Sequence, residues 1–252
     1  MANSTSIFRL IFVFLSLSVI LTPQVTTKVW AESNATALFK PPPGRDAPRG
    51  GTAGGGSRPV GGACLSHPSA KPNAFKALVP GRHLGLTQSD RPNFFVYIPQ
   101  TTAQTAEFSL FDEQMNGIYQ VNVPVTKAGL VSISLLDTAP SLVKDKPYYW
   151  TVALVCNPSD RTDDWVVGGW IERAEPSATL KQQLANVTAV ERVSLYAKQG
   201  FWYEALNTLV ELQRTQPNHP VVATTWAELM KSVELEAKGS TLPNAIAIQP
   251  MH

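Results

Sequence analysis

The sequence is poor in the residues from which active sites are usually assembled. It has only two cysteines and four histidines in 252 residues, and no pair among His67, His83, His219 and His252 has metal-ligand spacing. H-E-x-x-H and G-x-S-x-G are both missing, which removes the main signatures of a zinc peptidase and of a serine hydrolase. The glycine runs are not followed by Gly-Lys-Ser/Thr at a helix start, so they do not form a phosphate-binding loop. Charge is also scarce: 21 Lys and Arg against 19 Asp and Glu leave a net +2, too little for a nucleic-acid or membrane-surface partner. The apolar run Leu10 to Leu21 is shorter than the ~20 residues of a membrane span. No residue is therefore assigned a catalytic or metal-binding role, and no cofactor is expected.

What is present begins with an export signal. Arg9 precedes the run Leu10 to Leu21, broken only by Ser16 and Ser18, and Val29-Trp30-Ala31 forms an A-x-A-like cleavage site before Glu32. Residues 1–31 are read as a signal peptide, the alternative being a retained anchor. Export places Cys64 and Cys156 in an oxidising compartment, where they are expected to pair; the alternative is two buried free thiols. Residues 32–62 carry Pro41-Pro42-Pro43-Gly44, Ala47-Pro48-Arg49-Gly50-Gly51 and Gly54-Gly55-Gly56-Ser57-Arg58, which reads as a flexible linker. This region is basic: Lys40 to Arg91 holds eight Lys and Arg against two Asp.

Residues 63–175 change character. Short apolar segments recur between turn residues: Asn93 to Pro99, Glu107 to Phe111, Gly117 to Val123 after the Asn116-Gly117 turn signal, Leu130 to Leu136, Tyr148 to Cys156 and Trp165 to Glu172. Without a helical period among them, they predict an antiparallel β-sandwich, immunoglobulin-like or fibronectin-like in outline. In the stretch Pro147 to Arg173, Trp150, Val152, Leu154 and Cys156 share one face by strand alternation, which is taken as the core side.

After Pro176 the period becomes helical. Leu184, Val187, Val190 and Ala197 lie along one side of a first helix that Gly200 ends; Trp202, Ala205, Leu206, Leu209 and Leu212 mark a second; and Val222, Trp226, Leu229 and Val233 follow Pro220 in a third. The fold class is thus α+β in two parts, the sandwich followed over residues 176–238 by a helical hairpin or three-helix cap, with a tail over 239–252. Lys198 to Leu206 followed by Pro217 resembles about one tetratricopeptide unit, with Gly200 at the turn and the small Ala205 where helices approach.

Candidate sites are few. Asp160, Asp163 and Asp164 could offer oxygens to calcium, but Arg161 lies among them and a solvated hairpin turn is the preferred reading. Glu107, Asp112 and Glu113 are acids without a spacing that implies paired catalysis. Trp165 and Trp170, five apart on one strand and so on opposite faces, are the candidates for recognition: an exposed indole stacks on sugars or anchors a partner, whereas a covered one is core.

A resemblance spans nearly all of the exported chain. The linker ending near Cys64, Ala77 to Pro80 with Leu84 to Thr87, Arg91 to Pro99, Tyr149-Trp150 with Val155 to Pro158, Gly169-Trp170-Ile171, and Gly200 to Leu206 followed by Trp226 and Leu229 together resemble the cyanobacterial domain-of-unknown-function family catalogued as DUF 928. The resemblance implies an exported protein and brings no functional residues. The expected function is an extracytoplasmic, periplasmic or secreted, non-enzymatic module that binds a protein or an envelope polymer, with no nucleic-acid partner and no transmembrane span once the signal is removed. The alternatives are a carbohydrate-binding sandwich using Trp165 or Trp170, and a hydrolase of an envelope polymer.

Overall fold

A computed structural model describes residues 36–47, 64 and 75–235, together with the backbone of 246–248. The expected signal peptide and most of the expected linker lie outside these residues. Among the described residues the chain is α+β, with two sheets and four helices.

The five-stranded sheet contains β2 (Gly85–Thr87), β4 (Thr105–Phe111), β5 (Gly117–Pro124), β7 (Pro147–Leu154) and β8 (Trp165–Arg173), in the order β2-β8-β7-β4-β5. The second sheet runs β1-β3-β6-β9, from β1 (Lys76–Ala77), β3 (Asn93–Ile98), β6 (Gly129–Ser134) and β9 (Ile246–Ile248). Apolar side chains of the two sheets meet in one core: the Phe94 ring of β3 lies 4.8 Å from Phe108 of β4 and 5.1 Å from Trp150 of β7. The β7 alternation is as the sequence predicts, with Trp150, Val152 and Leu154 all fully buried.

The sheets are not purely antiparallel, because β2 pairs in parallel with β8 and β9 in parallel with β6. Both parallel strands are only three residues long, too short for a period to reveal them. The strand β9 also falls within the stretch expected to be a tail, and it pairs with β6 although it follows the helices along the chain. Gly168 explains how β8 fits beside β7: a Cβ there would lie 2.0 Å from the Trp150 carbonyl oxygen.

The helices are α1 (Ala178–Leu184), α2 (Ala189–Lys198), α3 (Trp202–Thr215) and α4 (Pro220–Ser232). One helix was expected where α1 and α2 stand. The break comes from a capping box: the Thr188 side chain accepts from the Glu191 N–H while the Glu191 carboxylate accepts from the Thr188 N–H, so a new helix starts there. Gly200 ends α2 with φ +81°, a backbone conformation that suits glycine. The helix α3 packs against α2, β2 and β3.

The linker expectation is corrected over residues 36–47, which form a strap packed on the helices. The Lys40 N–H donates to the Ala197 carbonyl at 3.0 Å, the Phe39 N–H to Ser232 Oγ at 3.1 Å, and the Ala37 N–H to Glu228 Oε2 at 3.2 Å. The Phe39 ring meets Trp202 edge-on at 5.5 Å, and Pro42 covers Gly200 so closely that a Cβ on that glycine would sit 3.0 Å from the proline. Arg45 then pairs with Glu172 and, at 3.1 Å, with Asp145. Proline and glycine make such a segment look like a linker, but its few apolar side chains find sites on the folded surface.

Cys64 and Cys156 are disulfide-bonded across 92 residues, which ties the chain before β1 to the end of β7. Replacing both by serine is expected to cost about 4 kcal/mol by chain entropy, measured as a lower urea midpoint; an unchanged midpoint would contradict the staple. Phe39→Ala should cost about 3 kcal/mol and speed hydrogen exchange at the Lys40 amide, with core strand amides affected only through global unfolding.

Candidate functional site

The candidate site lies where the β2–β3 loop crosses the α2–α3 pair. The loop Gln88–Pro92 is shaped by two local side-chain turns, the Ser89 N–H donating to Thr87 Oγ1 and the Arg91 N–H to Ser89 Oγ, both at 3.1 Å. Arg91 is held by Nε and Nη2 donating to the Ala139 carbonyl at 3.3 and 3.1 Å. On α2, Arg192 and Tyr196 stand four residues apart and therefore on one face; on α3, Glu204 shares a face with Asn207 and Thr208. These groups, with Gln88, Ser89 and Asn93, line a polar cavity of about 280 Å³.

Three consecutive residues fix α3 at this place. Trp202 Nε1 donates to the Leu78 carbonyl at 2.8 Å, and Tyr203 Oη accepts from Trp150 Nε1 at 2.8 Å. Glu204 Oε1 accepts from Thr87 Oγ1 at 2.8 Å and from the Gln88 N–H at 2.9 Å. Both donors reach the same carboxyl oxygen, while Oε2 is buried without a hydrogen-bond partner. Arg192 Nε is buried in the same condition. Gln88 Nε2 donates to Tyr196 Oη at 3.2 Å, and Asn93 Nδ2 to Asn207 Oδ1 at 2.8 Å.

Burial pushes the Glu204 carboxyl above its ordinary range, against the opposing pull of the Thr87 hydroxyl and the Gln88 amide. Burial likewise raises Tyr196, opposed by Gln88. The arrangement presents a cavity wall made mostly of neutral amide and hydroxyl side chains.

The residues singled out in the sequence lie elsewhere. The register pairs Trp165 with Leu154 on the core face and Trp170 with Tyr149 on the opposite face, so the two indoles do point apart. Both are covered: Trp165 is 7% and Trp170 3% exposed, the latter with its ring 5.1 Å from Tyr149. Neither presents an open ring face for stacking. Asp160 caps the short 3-10 turn Arg161–Asp163, and Asp164 pairs with Arg161 while its Oδ1 accepts from the Cys156 N–H at 3.1 Å. Arg161 also reaches Glu107 at 3.1 Å. Asp112 holds the β4–β5 turn by accepting from the Gln114 and Asn116 amides, and Glu113 accepts from Gln114 Nε2. Among the described residues no cluster could hold a metal ion.

Sequence reasoning missed Arg91, Arg192, Tyr196 and Glu204. One signal was legible: Glu204 is the single charged residue within the otherwise apolar Phe201 to Leu206, and a carboxylate at such a position needs donors or a ligand.

The raised carboxyl has a consequence for stability. In the unfolded chain Glu204 ionises near its ordinary value of 4.5, whereas the folded chain keeps the proton to higher pH. The folded state then binds more protons over that interval, so this contribution is full below 4.5 and falls as pH rises through the raised folded value. Thr87, Gln88, Arg91, Arg192, Tyr196 and Tyr203 surround the group, and no other carboxyl lines the cavity. Glu204→Gln is expected to flatten this part of the stability-against-pH curve, measured by chemical denaturation from pH 4 to pH 8; an identical slope in both proteins would contradict the assignment.

No curated protein matches the chain. A family match extends over residues 53–243, a span that includes Cys64, β1 to β8 and all four helices but leaves out the strap and β9. With Glu204, Arg192 and the cavity inside that span, the chain belongs to the family described as Domain of Unknown Function (DUF928).

Proposed function

We propose that the protein is an exported, extracytoplasmic, non-enzymatic module that binds an envelope polymer, built as an immunoglobulin- or fibronectin-like β-sandwich with a helical cap. The observation that carries this reading is the polar cavity walled by Gln88, Ser89, Asn93, Asn207 and Thr208 between the loop and the two helices. The Cys64–Cys156 bond suits an oxidising compartment, and no helix among the described residues is long and apolar enough to cross a membrane.

A second reading, a hydrolase acting on an envelope polymer, draws support from Glu204 and Tyr196 converging on one cavity. Glycoside hydrolysis commonly uses two carboxyl groups, and Glu204 is the only carboxyl lining this one. Binding without turnover is therefore the preferred reading. The oxidised protein should co-sediment with isolated envelope polymer and leave its chain-length distribution unchanged by size-exclusion chromatography. Shortened polymer would establish the hydrolase, and failure to co-sediment with any envelope fraction would overturn polymer binding.

A further inference from the structure

We propose that the free edge of β5 pairs with the same edge of a second copy of this chain, antiparallel about a two-fold axis at Val121, so that two five-stranded sheets continue into one. No β5 residue lines the cavity, and the proposal goes beyond the polymer-binding reading.

Among the described residues β5 pairs with β4 alone and stands at the end of its sheet. The Val125 N–H donates to the Gln104 carbonyl at 2.9 Å, directly after the last pair of that ladder, Pro124 with Thr105. Strand alternation then turns the N–H and C=O groups of Tyr119, Val121 and Val123 toward β4 and those of Gln120 and Asn122 outward. The opposite edge of the sheet is closed: β2 is three residues long, α3 packs on it, and its Leu86 N–H donates to the Gly200 carbonyl at 2.9 Å. Sheet edges are usually guarded by charged side chains or by proline. Gly117–Pro124 has no charged residue, and its one proline is the last residue of the strand.

Both ends of this edge limit how it can pair. Leu110 opposes Tyr119 while Phe111 opposes Gly117, so Ile118 is an extra, bulged residue; at the other end Pro124 has no N–H to give. Between them the regular stretch 119–123 has Val121 at its centre. An antiparallel copy centred there sets Val121 against Val121, Tyr119 against Val123 and Gln120 against Asn122. Apolar side chains then meet on the core face and amides on the solvent face, while the outward backbone groups of Gln120 and Asn122 bond across the axis. Tyr119 and Val121, half-buried at the rim of the core, gain cover from the added strand.

A strand from another protein is the main competitor, since an open edge can bond to any extended segment. The residues around β5 favour self-pairing. Beyond the strand ends, the two-fold register brings Lys127 of each copy to the β4–β5 turn of the other, where Glu113 is exposed. Opposite charges therefore meet at both ends, and no like charges face each other between them. Met115 and Ile118, 51% and 40% exposed, lie at the same end, and Ile118 falls beside Pro124 of the other copy. Pairing about a two-fold axis also covers the edge of both copies, so assembly stops at two. An edge this short falls among the small interfaces, below about 1,200 Å², and the dimer is weak.

Sedimentation equilibrium of the oxidised full chain, read from about 10 μM to about 1 mM, should show monomers passing into dimers with a dissociation constant on the order of 100 μM. Over the same range, hydrogen exchange at the Gln120 and Asn122 backbone amides should slow about fourfold, following the fraction of chains left unpaired. Gln120→Lys combined with Asn122→Lys sets lysine against lysine across the axis and should weaken the dimer about tenfold. Gln120→Lys combined with Asn122→Glu sets lysine against glutamate and should keep the wild-type affinity within about threefold. Both side chains are exposed, and thermal unfolding checks that each double variant is folded. The exchange measurement on the wild type decides the matter if one of them is not. The proposal is overturned if the chain stays monomeric over the whole range, if it dimerises without slowing at Gln120 and Asn122, or if the two folded variants dimerise alike. Slowing at these amides that ignores chain concentration and appears only with another protein added would assign the edge to that partner and equally overturn self-pairing.

Discussion

The hydrogen bond from Trp150 Nε1 to Tyr203 Oη, buried at 2.8 Å, is the interaction on which the two halves of this protein depend. Trp150 is fully buried at the middle of β7 and Tyr203 stands in the first turn of α3, so this polar contact ties the centre of the five-stranded sheet to the helices. It is placed among rings, Phe94 at 5.1 Å from Trp150 and at 6.1 Å from Tyr203, and Phe108 stacked at 6.3 Å from Trp150. In such surroundings an unpaired indole N–H or phenol would be destabilising, and the contact therefore fixes the position of α3 along the sheet as well as its distance. Burial raises the Tyr203 hydroxyl far above its usual ionisation, so the phenol remains neutral in this contact.

The cavity inherits its geometry from this contact. Tyr203 is flanked by Trp202, which bonds to the Leu78 carbonyl, and by Glu204, which receives Thr87 and Gln88. Three neighbouring side chains thus hold one helical turn against three separate segments of the β structure, and a carboxyl with one satisfied and one unsatisfied oxygen is the outcome. The strap adds a second layer, since Phe39 lies on Trp202 and Pro42 on Gly200, just before α3. The Glu204 carboxyl is therefore placed on a turn held from several sides, with the loop Gln88–Pro92 supplying the opposite wall of the cavity.

The parts legible in the sequence were those that depend on neighbours along the chain. Alternation in β7 identified Trp150, Val152 and Leu154 as core, Gly200 marked the end of α2, and Pro220 the start of α4. The capping box at Thr188 and Glu191 is equally local and was there to be read, yet the apolar spacing of Leu184, Val187 and Val190 suggested one continuous helix. The strap was misjudged because composition reports the freedom of an isolated segment. It does not report that Phe39 and Pro42 meet Trp202 and Gly200, residues some 160 positions away. Trp165 and Trp170 are both covered, and the polar groups that gather around the cavity come from the β2–β3 loop, the start of β3, α2 and α3.

By itself, the sequence determined the alternating core strands, the helical end of the chain, the availability of two cysteines for one bond, and the lack of familiar catalytic signatures. These follow from side-chain period, turn chemistry and residue type, all of which act over a few positions. Only the tertiary structure decided that Cys64 and Cys156 are within bonding reach, that three-residue strands pair in parallel, and that Glu204 and Arg192 line one cavity. Those outcomes depend on which distant segments the core brings together, and burial gives a polar atom its chemical meaning only after that packing is set.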